Sequence, residues 1–311
     1  MRIQLIPASS ESSFAEETFH NGFIERLILF CVMAAATLCF GCGDPTGPDD
    51  SPVNAAYLHT RASWAPDGRN IAFRGEFNGV SGVYLVDSSG ANVRLLLAGE
   101  GVGFTWSPDS RWLAFSAAGK LYMIRVNGDS LTQLTTGTRD IRPAWSPDGT
   151  QMAFVRTGVW LLRTGFLTTR ELSATGNFPS WHPNGMEVVV MDVGSQMPDL
   201  QYRYAIDAID TATGAWRTLY SFRSPDDCAF GSISPDGSRY VFGVLPPQGL
   251  SQVWAVDLTT STPTRLTEDG GDYPAWSPDG GMIVYTRTAE GDGALWLMRA
   301  DGSAKRQLTS L

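Results

Sequence analysis

The heptapeptide Pro-Ala-Trp-Ser-Pro-Asp-Gly occurs at residues 143–149 and again at 274–280. Near copies lie at 62–68 (ASWAPDG), 104–110 (FTWSPDS), 179–185 (PSWHPNG) and 231–237 (GSISPDG). Each copy is a turn written in sequence. Proline pre-sets φ at about −65° for the first central position, aspartate tolerates the bridge-region position after it, and glycine accepts the left-handed residue that follows. A type I turn ended by a left-handed residue joins two antiparallel strands. Ser110 stands where most copies have glycine, and is expected to cost about 1 kcal/mol if the left-handed geometry persists.

The strand expected after each turn is apolar on both faces: Ile71–Phe73, Leu113–Phe115, Met152–Phe154, Val188–Val190, Tyr240–Phe242 and Ile283–Tyr285. Consecutive apolar residues mean that both faces of each sheet are covered. A third strand (such as Leu121–Ile124), a second turn (such as Asn127-Gly128) and a fourth strand (such as Thr132–Thr135) complete each unit. The turn motifs are spaced by 42, 39, 36, 52 and 43 residues. Four antiparallel strands repeated about every 40 residues are propeller blades. The expected fold is therefore all-β, a six-bladed β-propeller over residues 56–311. Trp64, Trp106, Trp145, Trp181 and Trp276 precede the turns and are expected to pack between blades, with Ile233 in that place in the fifth. Two closures of the ring are open. Each repeat can make one whole blade, or residues 55–60 (AAYLHT) can supply the last blade's outer strand; the second is the expectation here.

The pattern P-x-W-S-P-D-G…I-A-F…L-Y-x-M…D-G…L-T resembles the WD40-like propeller repeats of the TolB family. The resemblance spans about 255 residues and all six repeats. It implies an envelope protein that receives a peptide segment or a lipoprotein partner at the propeller. In the family an additional N-terminal domain precedes the propeller, whereas only the linker 43–55 does so here. In the related prolyl-oligopeptidase-type proteins a hydrolase domain follows the propeller, and this chain ends at Leu311. A Tol–Pal role and a peptidase role are therefore both set aside as expectations.

Residues 27–42 (LILFCVMAAATLCFGC) have the length of a signal h-region, and Arg26 precedes them. The acidic stretch before Arg26 is unusual for such a leader. The Gly41-Cys42 end, followed by GDPTGPDDSP, resembles a bacterial lipobox. That resemblance implies cleavage before Cys42, acylation of its sulfur and, with Gly43 next, an outer-membrane anchor. Residues 1–41 are thus expected to be a lipoprotein-type signal peptide and 42–55 a tethering linker. Secretion with ordinary cleavage is the simpler alternative. Acyl chains would hold the protein at a membrane, each buried CH₂ contributing about 0.8 kcal/mol.

The chain is −9 overall, and −7 once a leader with two arginines and four glutamates is removed. An acidic surface argues against nucleic acid. Three of the four cysteines (Cys31, Cys39 and Cys42) lie in the leader, so Cys228 is alone in the folded body. There is no G-x-S-x-G elbow and no H-E-x-x-H. DGGD at 269–272 lacks the spacing of an EF-hand loop. No metal or cofactor is expected. His182 reads as a turn residue, and the repeated turn aspartates read as structural.

The residues four to seven before each Trp position should ring one mouth of the axial channel. Glu100, Arg139, Asp140, Asn177, Asp227 and Asp272 are the candidates, with Asp226, Glu268 and Asp269 beside them and His59 near the first inner strand. An acidic ring there would focus a negative potential and favour a cation or a basic peptide. Phe178, Phe230 and Tyr273, three before the Trp position, are expected in the blade core, with stacking at the channel as the other reading. The functional expectation is a non-catalytic, monomeric module that binds an envelope protein or peptide. The alternatives are a carbohydrate-active lyase or hydrolase with its site in the channel, and a purely structural part of an envelope complex.

Overall fold

The computed structural model describes residues 60–309, apart from 198–199, 247 and 288–292. The leader, His59 and Cys42 lie outside the described residues. Six four-stranded antiparallel sheets follow one another, each with its strands in chain order from axis to rim. The protein is a six-bladed β-propeller. The inner strands are Thr60–Trp64, Val102–Trp106, Ile141–Trp145, Asn177–Trp181, Asp227–Ile233 and Asp272–Trp276. Each packs beside the inner strand of the next blade, and the first packs beside the sixth.

The recurring turns have one hydrogen-bond scheme. Gly149 N–H donates to Ser146 O at 2.9 Å, closing the turn with Gly149 at φ 74°. Ser146 Oγ donates to Asp148 Oδ1 at 2.6 Å and accepts from Gln151 N at 2.9 Å, while Thr150 N donates to the same Asp148 oxygen. The scheme repeats at 107–112, 234–239 and 277–282. In blade 4 Asn184 replaces the aspartate and His182 Nδ1 accepts from Asn184 N, so His182 is part of the turn. Ser110 is left-handed at φ 59°, as its position requires. Its hydroxyl accepts from Asp67 N of the neighbouring blade's turn at 3.1 Å, which offsets the backbone cost.

The blades hold one another through the Trp position. Trp106 Nε1 donates to Ser63 O, and Trp181 Nε1 to Ala144 O, each in the preceding blade at 2.9 Å. Trp145 instead bonds its own turn at Gly149 O. The indole N–H groups of Trp64 and Trp276 are buried with no hydrogen-bond partner. On the rim, arginines of three fourth strands reach the next blade's second turn. Arg94 donates to Val126 O, Arg170 to Thr211 O and Arg306 to Ser88 O.

The last of these clasps closes the ring, and the closure corrects the sequence-based expectation. The sixth sheet takes its outer strand from its own repeat, Arg306–Gln307, while Thr60 opens the innermost strand of blade 1. Residues 55–59 lie outside the described residues. Among the described residues, blades 1 and 6 share no strand and meet by packing. Phe73, Tyr84 and Val86 of blade 1 form one core cluster with Val284, Leu295, Leu297 and Leu308 of blade 6. The 52-residue spacing is absorbed by blade 4, whose last three strands run to ten, nine and nine residues.

Candidate functional site

All six inner strands change register three residues before the Trp position. In five of them the residue there is left-handed: Gly103 (φ 67°), Arg142 (55°), Phe178 (52°), Phe230 (56°) and Tyr273 (52°). Bulky residues rarely adopt this conformation, and such outliers persist only where the surroundings over-determine them. Here neighbouring side chains do so. Asn177 Oδ1 accepts from Phe178 N at 2.9 Å, and Asp272 Oδ1 from Tyr273 N at 2.7 Å.

The bulge re-aims these side chains. Phe178 and Phe230 meet edge to face at 5.0 Å, and Phe230 and Tyr273 are tilted against each other at 4.2 Å. The Arg142 guanidinium lies 4.3 Å from the Phe178 ring centroid and 5.9 Å from that of Phe230. Arg142 belongs to blade 3 and Phe230 to blade 5, and such an approach passes over blade 4 only along the axis. Phe178 and Phe230 are buried, as expected of core residues, and Tyr273 is half-buried, but their ring contacts run between blades rather than within one. They join three blades as an aromatic arc in the channel with a cation laid on it. Arg142 Nη1 also donates to Asn177 Oδ1 at 2.6 Å.

Blade 2 breaks the arc, because Gly103 has no side chain to contribute. A Cβ there would stand 3.3 Å from Arg142 Cα. Beside this gap, where the inner strands of blades 2 and 3 begin, is a pocket of about 260 Å³. Gly101, Val102, Ala117, Ala118 and Ile141 make its small apolar walls, and Arg74 and Glu100 give it one charge of each sign.

The six predicted mouth residues have different situations. Glu100 and Arg139 are exposed. Asp140 is fully buried and accepts both Nε (2.6 Å) and Nη2 (3.0 Å) of Arg156, whose guanidinium also lies over Trp160. Asn177 and Asp272 brace the bulges, and Asp272 is buried. Asp227 is half-buried, and its carboxyl is pushed up by burial first and by neighbouring Asp226 second. Glu268 and Asp269 pair with Arg265 and Arg287. Charge reversal at Asp140 or Asp272 would thus perturb folding, whereas Glu100 and Arg139 can be changed at little structural cost.

The turn aspartates are committed to their own turns. Hydrogen bonds led by Ser107, Ser146 and Ser277 hold Asp109, Asp148 and Asp279 below the usual carboxylate range, and Ser234 leads in holding Asp236 at about 2. Among the described residues no group of three or more His, Cys, Asp or Glu side chains is arranged to hold a metal ion. Cys228 is buried, and burial raises its thiol to about 12. No described helix is long and apolar enough to cross a membrane. Sequence reasoning missed the bulge. Its one legible trace was glycine at position 103 where three other blades carry rings.

With this geometry in hand, the relatives can be compared. No protein-family model matches the chain. Over 198 residues it is 30% identical to an uncharacterized protein of Agrobacterium fabrum, covering 58% of this chain and 63% of that one. Over 79 residues it is 33% identical to a TolB homolog of Chlorobaculum tepidum, covering 25% of this chain and 18% of the homolog. The chain thus spans less than two thirds of the length of these curated relatives. Among solved structures, TolB of Acinetobacter baumannii superposes with a TM-score of 0.61 at 17% identity, covering 82% of this chain and 68% of that one. The fold is TolB-like. A TolB-like structure from Agrobacterium tumefaciens gives 0.58 at 23% identity over 70% and 84% of the two chains. An oligogalacturonate lyase in complex with manganese gives 0.55 at 16% over 76% and 87%, so the same TolB-like architecture also carries lyase chemistry in another protein.

Proposed function

We propose that this TolB-like propeller binds an extended peptide segment of an envelope protein at the mouth of its axial channel, without catalysis. The observation that carries the reading is the axial arc of Arg142, Phe178, Phe230 and Tyr273 on strained bulges, together with the pocket lined by Glu100, Val102 and Ile141 where the inner strands of blades 2 and 3 begin. Strain kept in four inner strands, at Arg142, Phe178, Phe230 and Tyr273, favours a site over mere packing. Phe178 and Phe230 are buried, so a ligand entering from the mouth meets the half-buried Arg142 and Tyr273. The pocket accepts one apolar side chain, and Arg74 and Glu100 can bond the main chain on either side. Exposed Glu100, with Asp226 and Asp227 across the mouth, favours a ligand with basic residues.

The TolB relatives support the envelope as the workplace. The lipobox resemblance supports a diacylglycerol anchor on Cys42 and an outer-membrane location. Metabolic labelling with radioactive palmitate tests the anchor: wild type should be labelled and C42S unlabelled.

The binding reading is tested by selecting 12-residue peptides from a random library against the full chain. Selected peptides should be enriched in basic and aliphatic residues, and E100K and Y273A should each weaken them at least tenfold. Unchanged binding in both variants contradicts the proposal. A polysaccharide-cleaving activity abolished by Y273A would replace it with the lyase reading.

A further inference from the structure

The outermost strand of blade 4, Trp216–Ser224, has nine residues, against five, two, six, four and two in blades 1, 2, 3, 5 and 6. It pairs with Tyr202–Asp210 along its full length, and no strand among the described residues pairs with its other side. A row of backbone N–H and C=O groups therefore faces outward on the rim, away from the axial mouth. Long edges of this kind are normally blunted by lysine, proline or shortness. This one has neither residue within it, and its single irregularity, between the partners of Ile206 and Asp207, leaves Tyr220–Ser224 in regular register.

The edge is also stiff. Phe222 stacks on Tyr204 at 5.3 Å and on Tyr220 at 5.7 Å, and meets Phe242 of blade 5 at 5.4 Å. Tyr220 and Phe222 are half-buried, so each keeps a surface on which a further cross-strand residue can lie. The strand carries Arg217 and Arg223 and no acid, in a chain whose net charge is −9. Arg217 is clasped by Glu187 at 2.7 Å, and Arg223 is an exposed residue on the opposite face from Phe222.

We infer that this edge takes a fifth strand from another protein, an extended segment that alternates apolar and acidic residues. Its apolar side chains extend the row of Tyr220 and Phe222, and its acids face Arg223, Ser221 and Thr218. Main-chain bonds supply affinity and the alternating side chains supply choice. A second copy fits less well. The copy's strand carries two arginines and no acid, so it has nothing of opposite charge to set beside Arg223.

The test uses the full chain and a fluorescein-labelled nine-residue peptide alternating valine and glutamate. Its binding should slow amide exchange at residues 220–224 at least tenfold, and R223E should weaken it at least tenfold. An alternating valine–lysine peptide should not bind. Two further peptides, N-methylated at every valine or at every glutamate, give a readout independent of protein variants. Strand addition predicts that one of them fails and the other binds. No protection at millimolar peptide, equal binding of both N-methylated peptides, or a dimer of the free protein protected at 220–224 would each overturn the inference.

Discussion

Ser110 shows how one residue can break a local rule and be repaid by a neighbour. Its left-handed backbone is unfavourable, yet its hydroxyl ties two turns together. S110A keeps the strain and loses the bond, so it should destabilise the protein by about 1 kcal/mol. S110G loses both and should lie within about 0.5 kcal/mol of wild type. Urea unfolding midpoints separate the two. Asp236 makes the acid response equally specific. Its folded pKa is depressed to about 2, so its contribution is present above the unfolded carboxylate range, about 4, and is lost as pH falls towards 2. Asn184 already accepts the equivalent backbone N–H bond in blade 4 without a charge. D236N should therefore fold, be less stable than wild type at pH 7, and converge with it near pH 2 in melting temperature.

At the scale of strands, the Trp position has two chemistries under one letter. Trp181 binds the preceding blade through its N–H, whereas the Trp276 N–H is buried and unbonded. W181F should cost about 1 kcal/mol more than W276F, because only the first loses a hydrogen bond. Paired denaturation curves check this difference. The turns, the doubly covered second strands and the period were all legible in sequence, because Pro-Asp-Gly chemistry and apolar runs are local. The bulges were not legible. Phe178, Phe230 and Tyr273 look like ordinary strand residues, and only the convergence of six strands on one axis forces them into left-handed geometry. The mouth was half legible for a related reason. Sequence placed Asp140 and Asp272 near it, but it could not show that Arg156 and a bulge amide already occupy their carboxylates.

For the whole molecule, the described residues at the junction of blades 1 and 6 hold together by side chains. Arg306 reaches Ser88 and Ser89 there, and Leu308 lies in the joint core. R306A should cost about 1 kcal/mol, while L308A should cost about 2–5 kcal/mol. Both should speed amide exchange first in blades 1 and 6 rather than uniformly. Such a ring keeps strained inner strands, with Asn177 and Asp272 bracing the bulges at Phe178 and Tyr273 and side chains of neighbouring blades packing on one another. The central claim is that those bulges serve a ligand at the mouth end. It is tested most directly by placing the photo-crosslinking residue benzoylphenylalanine at Arg139, on the mouth, or at Met186, in the turn that follows an inner strand at the other end. A library-selected peptide should crosslink at 139 and not at 186; crosslinking at 186 alone, or equally at both, would contradict the account.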